Sequence, residues 1–339
     1  MKISDRKIVS NMYDILFLCF PLWIPILFLL LFTYAKGTAV IFLLALFVLA
    51  EAHFGITWLF FLDPNNKKFI TTHPAVFFIF PTVILFITSL VFFLISPAAA
   101  LVLASIASAF HVTRQSIGIN KMFGIKGHKI VQLSNFAIYT LSAFFLAIGF
   151  LRFFANITIS TSLLQTVQIL GGILLLISIL FILTRKESKD LSLKFHLTTI
   201  TGMIIYAPFL FVARPEYASV MGVGMHWLQY LALVSPIYLR KQNDKNITKD
   251  PILSTITKKW VTLGIYVFLY AGIMVFLRQY GMGFQTFEYS TLIIIPLSFQ
   301  MLHFYYEAFI WKFSDPHIRK EVGTYIFGQP PQVLKPSPT

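Results

Sequence analysis

The sequence predicts an all-α fold: a polytopic transmembrane helix bundle of about ten spans, with both termini in the cytoplasm. Three observations carry this expectation. Of 339 residues, 57% are hydrophobic and only 12% charged, where soluble chains average about 25% charged. The apolar residues form runs of about 20, the length an α-helix needs to cross a bilayer. Lysine and arginine alternate from loop to loop as they do in membrane proteins.

The runs fall at 13–35, 38–62, 75–95, 98–118, 130–155, 162–184, 195–213, 217–240, 257–281 and 289–313. They leave residues 1–12 as a cytoplasmic N-terminus and 314–339 as a cytoplasmic tail, expected to be disordered from Gln329-Pro330-Pro331 onward. No strand-like alternation is present, and helices satisfy every backbone group within one segment. Breakers mark the joints: Asp63-Pro64-Asn65-Asn66, Ser96-Pro97 and Arg214-Pro215. No small-residue cleavage site follows Ile15–Tyr34, so that run is expected to span.

Charge orients the helices. With the N-terminus inside, 22 of the 27 Lys and Arg fall on the cytoplasmic side. Lys36, Arg152, Arg214 and Arg278 fall outside, and Arg114 lies within a span. One missed span would scramble every later loop, so this alternation supports ten. A net charge of +14 is then explained by basic loops at anionic lipid, and the bilayer rather than nucleic acid is the expected partner. A bacterial inner membrane suits this pattern. The single cysteine, Cys19, allows no internal disulfide.

Ionisable groups inside a membrane are costly and mark functional sites. Glu51 and Glu307 lie well inside spans; Asp14, Asp63 and Glu288 sit at span ends. Four of the eight histidines, His53, His111, His226 and His303, fall within spans two, four, eight and ten. All four helices run outside to inside, and at 1.5 Å per residue the four imidazoles share one layer to within roughly 10 Å. Neutral imidazole is the commonest metal ligand, and facing helices can aim several at one ion. Glu307 lies one turn after His303, Arg114 and Gln115 one turn after His111, and Gln229 and Tyr230 one turn after His226. Such neighbours can orient a ligand's second nitrogen or add a carboxylate. Glu51 is two residues from His53, about 200° around the helix, so a pairing with Arg114 or a supporting place is expected for it. Tyr305, Tyr306 and Trp311 are expected as interfacial belt residues.

Histidines with carboxylates and no thiolate suit non-haem iron (Fe2+) first, then zinc or copper. At lipid depth this points to an iron-dependent oxygenase or oxidase acting on a hydrophobic substrate. The expected set is His53, His111, His226, His303 and Glu307 as ligands, with Glu307, Glu51 and Arg114 as catalytic groups. Gln115, Gln229 and Tyr230 are expected around them.

The segments Ala52-His53-Phe54-Gly55 and Met301-Leu302-His303, the latter with an acidic residue one turn on, resemble parts of the Brp/Blh-type β-carotene 15,15′-dioxygenases. That family consists of polytopic membrane enzymes that cleave β-carotene with histidine-held non-haem iron. The resemblance implies that His53 and His303 are iron ligands. Its paired-histidine segment corresponds here to His111 with Gln115, or to His226 with Tyr230.

Two further readings stand. Four helix histidines suit two bis-imidazole haem sites. Alternatively, intramembrane His, Glu and Arg can relay protons or ions in a transporter, where Pro208, Pro236, Gly222 and Gly224 would break helices. A reductive iron cycle would need a separate electron donor; a dioxygenase would not.

Overall fold

The computed structural model describes residues 7–125, 127–153, 160–244, 251–283 and 291–327, with backbone alone for 279–283. Glu288, Lys2, Arg6, Lys126, Lys245, Lys249, Lys335 and the tail from Gln329 lie outside the described residues, as do residues 1–6 of the N-terminal segment and the first two residues of the tenth run. The described residues are helical, with no strand among them.

In chain order the helices are α1 Asn11–Cys19, α2 Trp23–Tyr34, α3 Thr38–Leu62, α4 Pro64–Thr72, α5 Ala75–Ile95 and α6 Pro97–Phe123. There follow α7 Lys129–Phe153, α8 Thr161–Thr184, α9 Leu193–Phe211, α10 Pro215–Asn243, α11 Pro251–Thr257, α12 Trp260–Gly283, α13 Thr291–Ile310 and α14 Pro316–Glu321. Among the described residues nine helices are long and apolar enough to cross a membrane, and α1 with α2 forms a further pair bent by 56°. The predicted runs therefore have helical counterparts, the first of them bent after the wide turn Asp14–Cys19, just before Pro21. Large apolar side chains on these helices are exposed, Leu94 being 76% and Phe86 62% exposed.

The chain divides into two compact units, one comprising Ser10–Leu46 with Ala109–Tyr230, the other Lys7–Val9, Phe47–Ser108 and the residues from Leu231 on. Within the first unit, Asp14 is not at an exposed helix end: its carboxylate is buried 2.6 Å from the Lys194 ammonium. The wide turn of α1 diverts its carbonyls from the regular ladder, and side chains of other helices meet them. Gln229 Nε2 donates to the Leu18 carbonyl at 2.6 Å and Thr201 Oγ1 to that of Cys19 at 2.8 Å. Helix α9 breaks after Ile204 because Pro208 has no N–H to donate four residues back. Carbonyls at its far end are collected by Arg152, at 2.7 and 2.8 Å from Phe209 and Leu210, and by Gln168, at 2.9 Å from Leu210. Arg152 thus acts as a helix cap rather than as a loop charge. Pro236, Gly222 and Gly224 lie inside α10 without interrupting it.

Within the second unit, α5 starts with a wide turn at Ala75–Ile79. The Tyr305 and Tyr306 hydroxyls of α13 donate to its Val76 and Phe77 carbonyls at 3.0 and 3.1 Å. These tyrosines clamp two helices together, a structural duty the belt expectation did not foresee. Asp63 caps α4 through the Asn65 N–H.

Candidate metal centre

Each unit brings two of the four histidines together. In the second unit, α3 delivers His53 two residues after another wide turn, Leu46–Glu51. His303 comes from the middle of α13. Both are fully buried, with ring centroids 4.4 Å apart and planes at 72°. Phe54 packs against both rings, at 4.7 and 4.8 Å.

Thr57, one turn after His53, sets the protonation of His303. Its hydroxyl donates to Glu307 Oε1 at 3.2 Å and lies 2.9 Å from His303 Nδ1. A hydroxyl has one proton. With that proton on the carboxylate, Oγ1 accepts from Nδ1–H, and His303 takes the tautomer whose Nε2 carries the lone pair. The other oxygen of Glu307 accepts from the Trp311 indole N–H. Glu307 therefore spends both oxygens on donors and acts on His303 through Thr57. Sequence reasoning missed Thr57 and assigned Trp311 to the interface. The signal was available: each stands four residues after a group already singled out, His53 and Glu307.

Glu51 points elsewhere, as its 200° offset from His53 requires. Its partner is Arg278 of α12, at 2.7 Å, and not Arg114. Arg114 is exposed and lies over the Phe110 ring at 5.5 Å. Its expected place beside the buried carboxylate is corrected, because residue 114 falls on the outward face of α6. Arg278, assigned to the outer side, turns inward because burial makes Glu51 require a cation.

In the first unit, His111 and His226 are buried with centroids 5.2 Å apart and planes at 88°. Gln229 uses its amide N–H on the Leu18 carbonyl, which makes it a packing group of α1 rather than a neighbour orienting His226. Tyr230 is buried and Gln115 half-buried. Tyr206 donates to the Ala109 carbonyl at 3.2 Å.

No family model, curated protein or solved structure matches the chain. The site must be judged on its own chemistry. Two imidazoles at van der Waals distance, one with its tautomer set through a carboxylate, form a donor set that fits a borderline transition metal. The hydroxyl interposed between Glu307 and His303 performs the orienting duty that carboxylates and carbonyls perform behind metal-bound histidines.

Proposed function

We propose that this protein spans the membrane ten times with both ends in the cytoplasm, in a bacterial inner membrane, and is a histidine-ligated metalloenzyme. His53 with His303, and His111 with His226, supply the imidazoles. The observation that carries the reading is the Trp311–Glu307–Thr57–His303 chain. A fully buried imidazole whose tautomer is prescribed by three other side chains is built to present one lone pair, and a metal ion is the partner that uses it.

Fe2+ is the favoured ion, with zinc and copper next, and the short resemblance to the Brp/Blh dioxygenases points the same way. Bound there, iron would supply oxygen activation for an oxygenase or oxidase acting on a lipid, isoprenoid or carotenoid. The chain's own residues do the rest. Thr57 and Glu307 hold the His303 tautomer, and Phe54 packs against both imidazoles. Glu51 with Arg278 ties α3 to α12. Elemental analysis of purified protein tests the proposal. Stoichiometric iron, lost in both His53→Ala and His303→Ala, is expected, without the Soret band of haem. Iron at trace level in wild type, unchanged by both variants, would sink it.

A second reading has one observation in its favour: α9 is broken, as transporter helices are where they coordinate ions. The carbonyls of Phe209 and Leu210, however, are already taken by Arg152 and Gln168. Ion flux in reconstituted vesicles that fails on His226→Ala, in protein free of metal, would favour transport.

A further inference from the structure

A further buried polar group, distinct from the histidines, fastens the residues after α13. Lys241, near the end of α10, is only 4% exposed. Its ammonium lies 2.5 Å from Asp63 Oδ2, 2.9 Å from Glu321 Oε2 and 3.1 Å from the Glu321 carbonyl. Asp63 ends α3 and Glu321 ends α14, and both are buried. One ammonium thus joins three elements far apart in sequence.

Further contacts fasten the same segment. Arg240 donates to the Tyr325 and Ile326 carbonyls, both at 2.8 Å, and the Tyr325 hydroxyl donates to Asp244 at 2.8 Å. Asn66 commits its amide N–H to the Phe60 carbonyl, so its Oδ1 accepts from His317 Nε2 at 2.9 Å. The His317 ring also stacks on Phe69, 4.4 Å away and 9° from parallel. Ile318, Val322 and Ile326 are buried beneath.

A buried ion pair is a poor route to stability, because desolvation consumes most of the Coulomb gain. It does enforce an arrangement: unseating Glu321 leaves Lys241 and Asp63 to compensate each other alone. The elements held in this way are those of the candidate site. Helix α3 carries His53 and Thr57, α13 carries His303 and Glu307, and Trp311 is the first residue past α13.

We propose that Trp311–Phe327 is a strap, locked by Lys241 between Asp63 and Glu321, whose seating keeps Trp311 on Glu307 and so controls the metal affinity of the His53–His303 pair. Its effect on metal rests on the metalloenzyme reading; its seating does not. Arg319 and Lys320 are exposed residues within the strap and offer trypsin a cut that requires local opening.

The test treats full-length protein in detergent with trypsin, follows cleavage after Arg319 and Lys320 by mass spectrometry, and titrates Co2+ in parallel. Lys241→Met should be cleaved about tenfold faster or more and bind Co2+ at least about tenfold more weakly. Lys241→Arg should restore both toward wild type. Cleavage of Lys241→Met at the wild-type rate would overturn the lock. Fast cleavage with unchanged Co2+ affinity would overturn the control of the site. If wild type binds no Co2+, the metalloenzyme reading falls, and cleavage still decides the seating. Should Lys241→Met not fold, Glu321→Gln, which leaves Lys241 paired with Asp63, carries the same comparison.

Discussion

Gly222 offers the sharpest steric test of the fold. It lies on α10 against the break in α9, and a Cβ built on it would stand 2.1 Å from the Ile205 carbonyl oxygen. Carbon and carbonyl oxygen ordinarily approach no closer than about 3.3 Å, so Gly222→Ala must open the contact by about 1.2 Å. The obstructing atom is backbone, beside the ring of Pro208 at 3.5 Å, and no rotamer change relieves it. Overpacking of this kind costs about 1–3 kcal/mol, and a rigid carbonyl places the cost toward the upper figure. Alanine's helix propensity returns at most about 1 kcal/mol. The net expectation is a loss of about 2 kcal/mol. Gly172→Ala is the control, because nothing lies within 4 Å of its Cβ; it should be neutral or slightly stabilising. Thermal unfolding in one detergent, followed by a thiol-independent dye, compares the three proteins. Gly222→Ala melting at or above wild type would refute the close approach of α10 to the break.

Three other predictions follow from the polar contacts. Thr57→Val keeps the side-chain shape but removes the hydroxyl between His303 and Glu307, and should weaken Co2+ binding about 10- to 100-fold. Thr57→Ser should restore it, and equal affinities across the three proteins would contradict the tautomer assignment. Glu51→Gln and Arg278→Gln should each destabilise by up to about 3–5 kcal/mol, and the double variant by less than their sum. A double-mutant cycle on unfolding should give a coupling of about 1–3 kcal/mol; a coupling near zero would deny the ion pair any net contribution. Strap stability should fall as pH drops below about 6.5. Burial depresses the His317 pKa, opposed by Glu321 and Asp315 and reinforced by Lys241 and Lys320. Its contribution is therefore full above the ordinary imidazole value and shrinks as pH falls below it. For Glu321, burial raises the pKa, but Lys241, Lys320 and His317 together bring it below the ordinary value. Its contribution is full above the ordinary carboxylate value and is lost as pH falls from there through the lowered one. Hydrogen exchange of 316–326, corrected for intrinsic rate, should rise as pH falls below about 6.5 and stay flat in His317→Gln; a rise unchanged in that variant would assign it to another group.

Much of this was legible from local pattern. Long apolar runs bounded by Pro, Asn and Ser became the helices, because in such runs the backbone has few alternatives to internal hydrogen bonding. His53, His111, His226 and His303 were found because an imidazole inside an apolar run is conspicuous. Their burial follows from the same cost that made them conspicuous. Thr57 and Trp311 were harder to read, since Thr and Trp are ordinary in apolar helices and gain meaning only from what faces them.

The sequence by itself determined the class: an all-helical chain with apolar helices of membrane-crossing length and a short list of buried polar groups. Composition and period suffice for that, since both act within one helix turn. Only the tertiary structure decided partners. It sent Glu51 to Arg278 instead of Arg114, joined Asp14 to Lys194 across 180 residues, and placed Lys241 between Asp63 and Glu321. Pairing of buried charges depends on rotation about each helix axis and on which helices adjoin. Both are settled by side-chain packing summed over whole helices, and no local stretch of sequence encodes them.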